Sequence, residues 1–255
     1  MGELHYIAFE DEADNIKDRV ESYWTKRANG FFDLRHDEIE SEKAARWKNE
    51  IYKIIPSDRP LKILDVGCGA GFFEVILGNQ GHDITGIDLT DEMISKANEM
   101  IRIYGLDNSR VKAVAGDAEN LNFADEEFDV VISRNLTWTL PHPVEAYHEW
   151  HRVLKKGGFL LNFDAEYAKG AHNLKSPENL AHSKIEDALK DECHDIYHML
   201  TISMLDRPHW DEHILNEVGF SQVDVDTTFG DRIFIERDEF YIPDKMFSIV
   251  AKKGN

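Results

Sequence analysis

Three things are scarce in this chain. Only two cysteines, Cys68 and Cys193, occur in 255 residues. That excludes a disulfide framework and a three-cysteine iron–sulfur motif, and it points to a reducing compartment. Basic residues are few beside acids: 29 Lys and Arg against 49 Asp and Glu, a formal charge of -20. A surface this negative repels phosphate backbones and anionic membranes. Neither nucleic acid nor a membrane is therefore an expected partner, and the acidity is read first as a source of solubility. Long apolar runs are missing as well. None reaches the roughly 20 residues that span a bilayer. Residues 1–14 are acidic and lack the apolar centre of a secretory signal or the basic face of a transit peptide. The expectation is a soluble, cytoplasmic protein, without internal repeats or low-complexity tracts, long enough for one large domain with a cap.

What is present is periodicity. Phe9, Ala13, Ile16, Val20, Trp24 and Ala28 recur at steps of three and four, one face of a helix. Gly30 is expected to break it. A second helix is predicted after Ser41, with Ala44, Trp47, Ile51 and Ile54 on its buried face, and Pro56 and Pro60 close the region. From Leu61 strands and helices alternate, with strands predicted at 62–66, 83–88, 111–115, 128–133 and 159–164. Thr90 is a candidate N-cap for a helix with Met93, Ala97, Met100 and Ile101 inside, ended at Gly105. Another helix starts at Pro143, carries the stripe Val144, Tyr147, Trp150 and Leu154, and is stopped by Lys155-Lys156-Gly157-Gly158. Alternation of this kind gives a parallel sheet with helices on both faces. Residues 166–206 break the pattern and read as a helical insertion, with a helix start at Ser176-Pro177-Glu178. A helix at 210–218, ended by Gly219, and β-rich runs at 222–228 and 247–252 complete the chain.

The most informative run is Leu64-Asp65-Val66-Gly67-Cys68-Gly69-Ala70-Gly71. It sets an acid two residues before a G-x-G-x-G turn, between an apolar strand and an apolar helical run. That is a nucleotide-type cofactor site. A dinucleotide fingerprint is G-x-G-x-x-G, but Phe72 stands where its third glycine belongs. The Gly-Lys-Ser/Thr ending of a Walker loop is absent. The charge of Asp65 suits a ligand carrying a cation, such as the amino group of S-adenosylmethionine. Asp88 ends the second strand, at about the 20-residue spacing where an acid meets ribose hydroxyls. Asp117 ends the third, where a carboxylate can accept from an adenine amino group. Taken singly, these acids also read as a helix cap and an Asx turn. Together, three strand ends carry acids to one sheet edge, the edge at which open α/β sheets bind ligands.

These residues, with Gly86-Ile87-Asp88-Leu89-Thr90, Gly116-Asp117-Ala118, Phe128-Asp129-Val130-Val131 and Arg152-Val153-Leu154-Lys155-Lys156-Gly157-Gly158, resemble the class I S-adenosylmethionine-dependent methyltransferases over roughly residues 61–161. The resemblance implies an α/β fold: a Rossmann-like, doubly wound, seven-stranded sheet whose last strand is antiparallel. It implies S-adenosylmethionine as cofactor and S-adenosylhomocysteine as product. It also implies roles. The loop of Gly67, Gly69 and Gly71, with Asp65, cradles the methionine part. Asp88 binds the ribose, Leu89 and Met93 line the nucleoside, and Asp117 and Ala118 hold the adenine. Arg134 and Asn135 lie close to the sulfonium. On this basis residues 1–58 are an N-terminal helical cap, 59–165 the cofactor-binding core, 166–206 a substrate cap, and 207–255 the completion of the core sheet.

The run Ser133-Arg134-Asn135-Leu136-Thr137-Trp138 lacks the Asn/Asp-Pro-Pro-Tyr/Phe motif of amino-methylating DNA enzymes. With the charge, this disfavours a nucleic-acid base as acceptor. Residues 135–150 and Arg207-Pro208-His209-Trp210-Asp211 resemble a subgroup of microbial small-molecule-type methyltransferases. The expected function is in-line transfer of a methyl group to a small metabolite. The alternatives are a non-catalytic regulatory protein that binds S-adenosylmethionine or S-adenosylhomocysteine, and an RNA or protein methyltransferase. Tyr23 is a candidate lid residue, with Trp24 as core, and His142 a candidate general base. His194 and His198, at i, i+4 beside Cys193, have a spacing seen in zinc sites but no recognisable fourth ligand, so no metal is expected.

Overall fold

The computed structural model describes residues 10–56, 58–167 and 171–255, the side chains of 10–14 and 171–172 excepted. A seven-stranded sheet has the order β3-β2-β1-β4-β5-β7-β6. Its strands are β1 (Lys62–Val66), β2 (Asp83–Asp88), β3 (Val111–Ala115), β4 (Phe128–Arg134), β5 (Leu154–Ala165), β6 (Phe220–Asp226) and β7 (Met246–Lys253). The first five run parallel, and β7 pairs antiparallel with both β5 and β6. The antiparallel last strand is thus present as expected. β1 reads as a nearly continuous apolar run because both its faces are covered: Ile63, Leu64 and Val66 are fully buried. Chain order reverses beside β1, so the crevice beyond the ends of β1 and β4 is the switch point where such sheets take ligands.

One sheet face packs on α2 (Glu42–Ile51), α3 (Phe72–Gly78) and α4 (Asp91–Ile103), around Trp47, Phe73 and Phe163. The other packs on α5 (Pro143–Val153) and α7 (His209–Val218), around Tyr147, Trp150 and Phe128. A third apolar cluster lies off the sheet. It joins α1 (Glu10–Glu40) to α6 (Asp187–Met199) through Ile16, Val20, Tyr23, Ile196 and Tyr197. No helix among the described residues is long and apolar enough to cross a membrane.

Four expectations need correction. Gly30 does not break the first helix; α1 continues through it to Glu40. An interior glycine costs only about 1 kcal/mol, and α1 packs on α2, α3, α4 and α6 along its length. The helix ends instead where Ser41 caps α2, accepting from the Lys43 amide at 3.2 Å. (Phe9 and the side chain of Ala13, from the predicted stripe, lie outside the described residues.) The helix α5 stops at Val153, and 154–158 already belong to β5, with Leu154 opposite Phe128 and Lys155 reaching Asp129 at 3.1 Å. Ser176-Pro177-Glu178 makes a turn closed by Asn179 N–H to Ser176 O at 3.0 Å, and the helix begins eleven residues later, at Asp187. Thr90 occupies the N-cap position of α4 without a side-chain cap bond; Asp88 takes its amide instead. The short α8 (Phe229–Ile233) has no counterpart in the sequence reading.

Candidate active site

The glycine turn follows β1 directly. The Gly67 and Cys68 amides both donate to Ile87 O at 2.8 Å, which folds the turn back over β2. Gly67 and Gly69 have φ of 72° and 52°, the left-handed region where a side chain is strained. A Cβ on Gly67 would stand 2.8 Å from Leu136 Cδ1, and one on Gly69 2.9 Å from Phe31 Cε1. Leu136 and Phe31 both line a cavity above the turn, so bare backbone is what keeps the cradle open. Asp88 ties the cradle to the next helix. Its Oδ2 accepts the Gly69 amide at 3.0 Å and its Oδ1 the Thr90 amide at 2.9 Å.

The cavity lies at the carboxyl ends of β1 to β4, beneath α1 and α6. Gly67, Gly69, Asp88, Leu89, Met93, Asp117, Ala118, Arg134, Asn135 and Tyr23 all border it. Three sequence-predicted residues do not. Gly71 faces α4, where an added Cβ would meet the Ala97 backbone at 3.1 Å. Asp65 is buried under the turn. His142 stands to one side, its Nδ1 3.1 Å from Glu119 Oε2 and its amide donating to Glu119 Oε1 at 2.6 Å.

Asp65 has a partner that the sequence did not single out. Glu74, on α3, is fully buried beside it. Burial, with the charge of Asp88, pushes the Asp65 carboxyl up to about 8. Burial and the charge of Asp65 push Glu74 well above the ordinary carboxylate range. The pair therefore retains a proton near neutral pH, and its charge is smaller than two carboxylates suggest.

Asp117 forms the Asx turn that the sequence allowed: its Oδ1 accepts the Glu119 amide at 2.9 Å. Its Oδ2 meets Lys17 Nζ at 2.8 Å, and the same ammonium lies 2.5 Å from Glu119. Lys17 thus fastens α1 to the end of β3.

The far wall joins the predicted Arg134 and Asn135 to residues that sequence reasoning missed, among them Arg35, Glu38, Tyr167 and Asp164. Arg134 turns toward Glu38 of α1, with contacts of 3.0 and 3.2 Å, and stacks over Trp47 at 4.5 Å. Glu38 is fully buried and also accepts from Arg35 and from Trp47 Nε1. Burial works against its charge, but the two guanidinium groups outweigh that and lower its pKa. Burial and the charge of Arg134 lower Arg35 to about 10. Asn135 takes φ of 56° and accepts the Tyr167 hydroxyl at 2.8 Å. The loop after β4 is pinned through Trp138 N–H to Asp164 at 3.1 Å, and Asp164 is paired with Arg207 at 2.8 Å. Arg207 also grips Asp211, so the 207–211 run acts as an internal brace. The sequence marked this run by its resemblance to small-molecule-type methyltransferases; the bracing role shows only in the structure, where Arg207 and Asp211 pair at i, i+4.

The predicted histidine pair lies on α6, with ring nitrogens 3.2 Å apart. Cys193 faces the cavity from the same helix. Among the described residues no group of three or more His, Cys, Asp or Glu is placed to hold a metal ion.

Residues 64–162 match a protein family described as a methyltransferase domain. A demethylmenaquinone methyltransferase of Listeria welshimeri is 28% identical over 137 residues, 52% of this chain and 57% of that protein. One of Staphylococcus aureus is 32% identical over 134 residues, 51% of this chain and 54% of that protein. The chain thus spans about half the length of the curated relatives it matches. The structure of Haemonchus contortus phosphoethanolamine N-methyltransferase 2 with S-adenosyl-L-methionine shares the fold, with a TM-score of 0.60 and 18% identity over 80% of this chain and 51% of that one. The glycine turn, the strand-end acids and the sheet order agree with that match: residues 64–162 form a methyltransferase domain similar to those of S-adenosylmethionine-dependent enzymes, set in a sheet of the class I methyltransferase type.

Proposed function

We propose that this protein transfers a methyl group from S-adenosylmethionine to a small organic molecule. The observation that carries this is one cavity bordered on its floor by the glycine cradle and on its roof by α1 and α6. When bound, the cofactor supplies an activated methyl on a cationic sulfur. The chain's own residues then have little covalent work to do. They align the partners and exclude water.

In this proposal Gly67 and Gly69 leave room for the methionine part, with Asp65 acting from beneath the turn and Gly71 through its packing on α4. Asp88 uses the lone pairs left after its two amide bonds to accept from ribose hydroxyls. Leu89 and Met93 give the nucleoside an apolar bed. Asp117 and Ala118 serve the adenine, and Arg134 and Asn135 border the reacting end. The segments 1–58 and 166–206 act as the cap, and 59–165 with 207–255 as the core. Tyr23 is a wall residue of the cap: burial raises its phenol well above its ordinary value, so it is a poor base. His142 is left out of the set, since Glu119 holds it beside the cavity and not in it. Support for a small acceptor comes from the aromatic enclosure by Trp24, Trp138, Tyr167 and Tyr197, and from relatives named for demethylmenaquinone.

The test is incubation with methyl-labelled S-adenosylmethionine and a metabolite extract. Label is expected in the small-molecule fraction. Label in RNA or protein alone would overturn the small acceptor. No transfer by protein that binds the donor would favour a non-catalytic binder.

A further inference from the structure

We infer that the cap side of this cavity is an anion site, and that the methyl acceptor is anchored there on Arg27 by a carboxylate or a phosphate. The word acceptor rests on the methyl-transfer proposal above; the anion site does not.

The chain carries a formal charge of -20, yet three guanidinium groups border this side of the cavity: Arg27, Arg35 and Arg134. All three are buried. Their compensation is unequal. Arg35 and Arg134 share a single carboxylate, that of Glu38. Arg27 has none within ion-pair distance among the described residues. Its hydrogen bond runs from Nη1 to the Tyr23 oxygen at 3.0 Å. The rings of Tyr23 and Trp24 lie 5.8 and 5.9 Å from its guanidinium carbon, at the limit of cation–π range. A guanidinium has five N–H donors in a planar fork. Arg27 lines the cavity, and its one hydrogen bond among the described residues is the bond to Tyr23, which leaves the rest of the fork without a protein acceptor. A buried charge in this state calls for a partner, and the planar oxygens of a carboxylate or phosphate match the fork.

The other groups facing the same space leave that need unmet. Asp244 is engaged by Asn173 Nδ2 at 2.9 Å, and burial pushes it up to about 6. His182 is held neutral: burial and the nearby charges of Arg27 and Arg35 push it down to about 3. Its buried Nδ1 has no hydrogen-bond partner, which leaves an uncharged polar atom in the wall. Setting Arg27, Arg35 and Arg134 against Glu38 and Asp244 leaves one net positive charge with Asp244 ionised and two with it protonated. At the cofactor end, by contrast, Asp88 is held by two amides and Asp117 by Lys17. The anion is an anchor in this proposal and not the methylated atom.

Benzoate, phenyl phosphate and neutral benzamide are titrated calorimetrically into the protein, with and without S-adenosylhomocysteine. One or both anions are expected to bind at one site, about tenfold or more tighter than benzamide. Arg27→Met is expected to remove that preference while leaving S-adenosylhomocysteine affinity unchanged, and Arg27→Lys to restore part of it. The tighter anion distinguishes carboxylate from phosphate. Anions that bind no better than benzamide to the wild type would overturn the site, as would anion affinity unchanged in Arg27→Met. Should Arg27→Met fold poorly, the wild-type preference and the Arg27→Lys variant decide. Absence of S-adenosylhomocysteine binding beside intact anion binding would sink the methyl-transfer proposal and leave the anion site standing.

Discussion

The floor and the roof of the cavity are made of different material. The floor is mostly backbone: a glycine turn and carboxylates fixed at strand ends by amides. The roof is side chain: Arg27, Arg35 and Glu38 from α1, with Tyr167, His182 and Asp244 from distant segments. Strand register sets the floor. Asp65 pairs with Gly86 and Val66 with Ile87, so the turn and Asp88 meet wherever the spacing is kept. The roof depends on where a 31-residue helix crosses the sheet edge, and no short spacing encodes that. A rigid floor suits a constant ligand, and a roof of independent side chains suits a variable one.

Substitutions on either side sharpen this contrast. Glu38→Gln should have the largest effect. It leaves Arg35 and Arg134 buried without a countercharge, a loss of about 3–5 kcal/mol of stability, read as a lower urea midpoint. An unchanged midpoint would mean that the roof cluster holds nothing together. Asp88→Ala should weaken S-adenosylhomocysteine binding by about 1–3 kcal/mol, because the carboxylate fixes the Gly69 amide as well as offering lone pairs to ribose.

The Asp65–Glu74 pair gives a pH test of the floor. An unfolded Asp titrates near 4, and folded Asp65 at about 8. The folded state therefore holds the extra proton between those values, and the pair costs stability as pH rises through that window. Glu74→Gln removes one of the two charges. Its melting temperature relative to wild type should rise from pH 5 to pH 9, on the order of several degrees. An equal difference at both pH values would show that the pair does not share its proton as described. Lys17→Ala should do least. The pair with Asp117 is partly exposed, at 22% and 34%, and the buried Glu119 keeps its contacts with the His142 amide and ring, so stability should fall by about 1 kcal/mol or less. A large loss of cofactor affinity in this variant would make Lys17 a ligand contact and move α1 from roof to floor.

Much of the floor was legible because its rules are periodic. Met93, Ala97, Met100 and Ile101 are buried as the helical period requires, and β1 and β2 span the residues that apolar runs predicted. The misreadings have identifiable sources. Gly30 has the look of a helix stop, but packing on both sides of α1 exceeds the cost of one glycine. Lys155-Lys156-Gly157-Gly158 satisfies the rule for a helix end, yet Leu154 is already paired with β4. His142 sits near the right edge in sequence, but Glu119, four residues after the end of β3, claims its ring. The roof was hardest to read. Arg35 and Glu38, at i, i+3, are indistinguishable in sequence from a solvated surface pair. Only the burial of both makes them a charged wall.

The most direct measurement is a calorimetric titration of S-adenosylhomocysteine into the wild type and Asp88→Ala, with S-adenosylmethionine as competitor. One site per chain is predicted, displaced by the donor and weakened in the variant. Cooperatively melting protein that binds neither compound, or binds both equally well without the Asp88 carboxylate, would contradict the floor as the cofactor site.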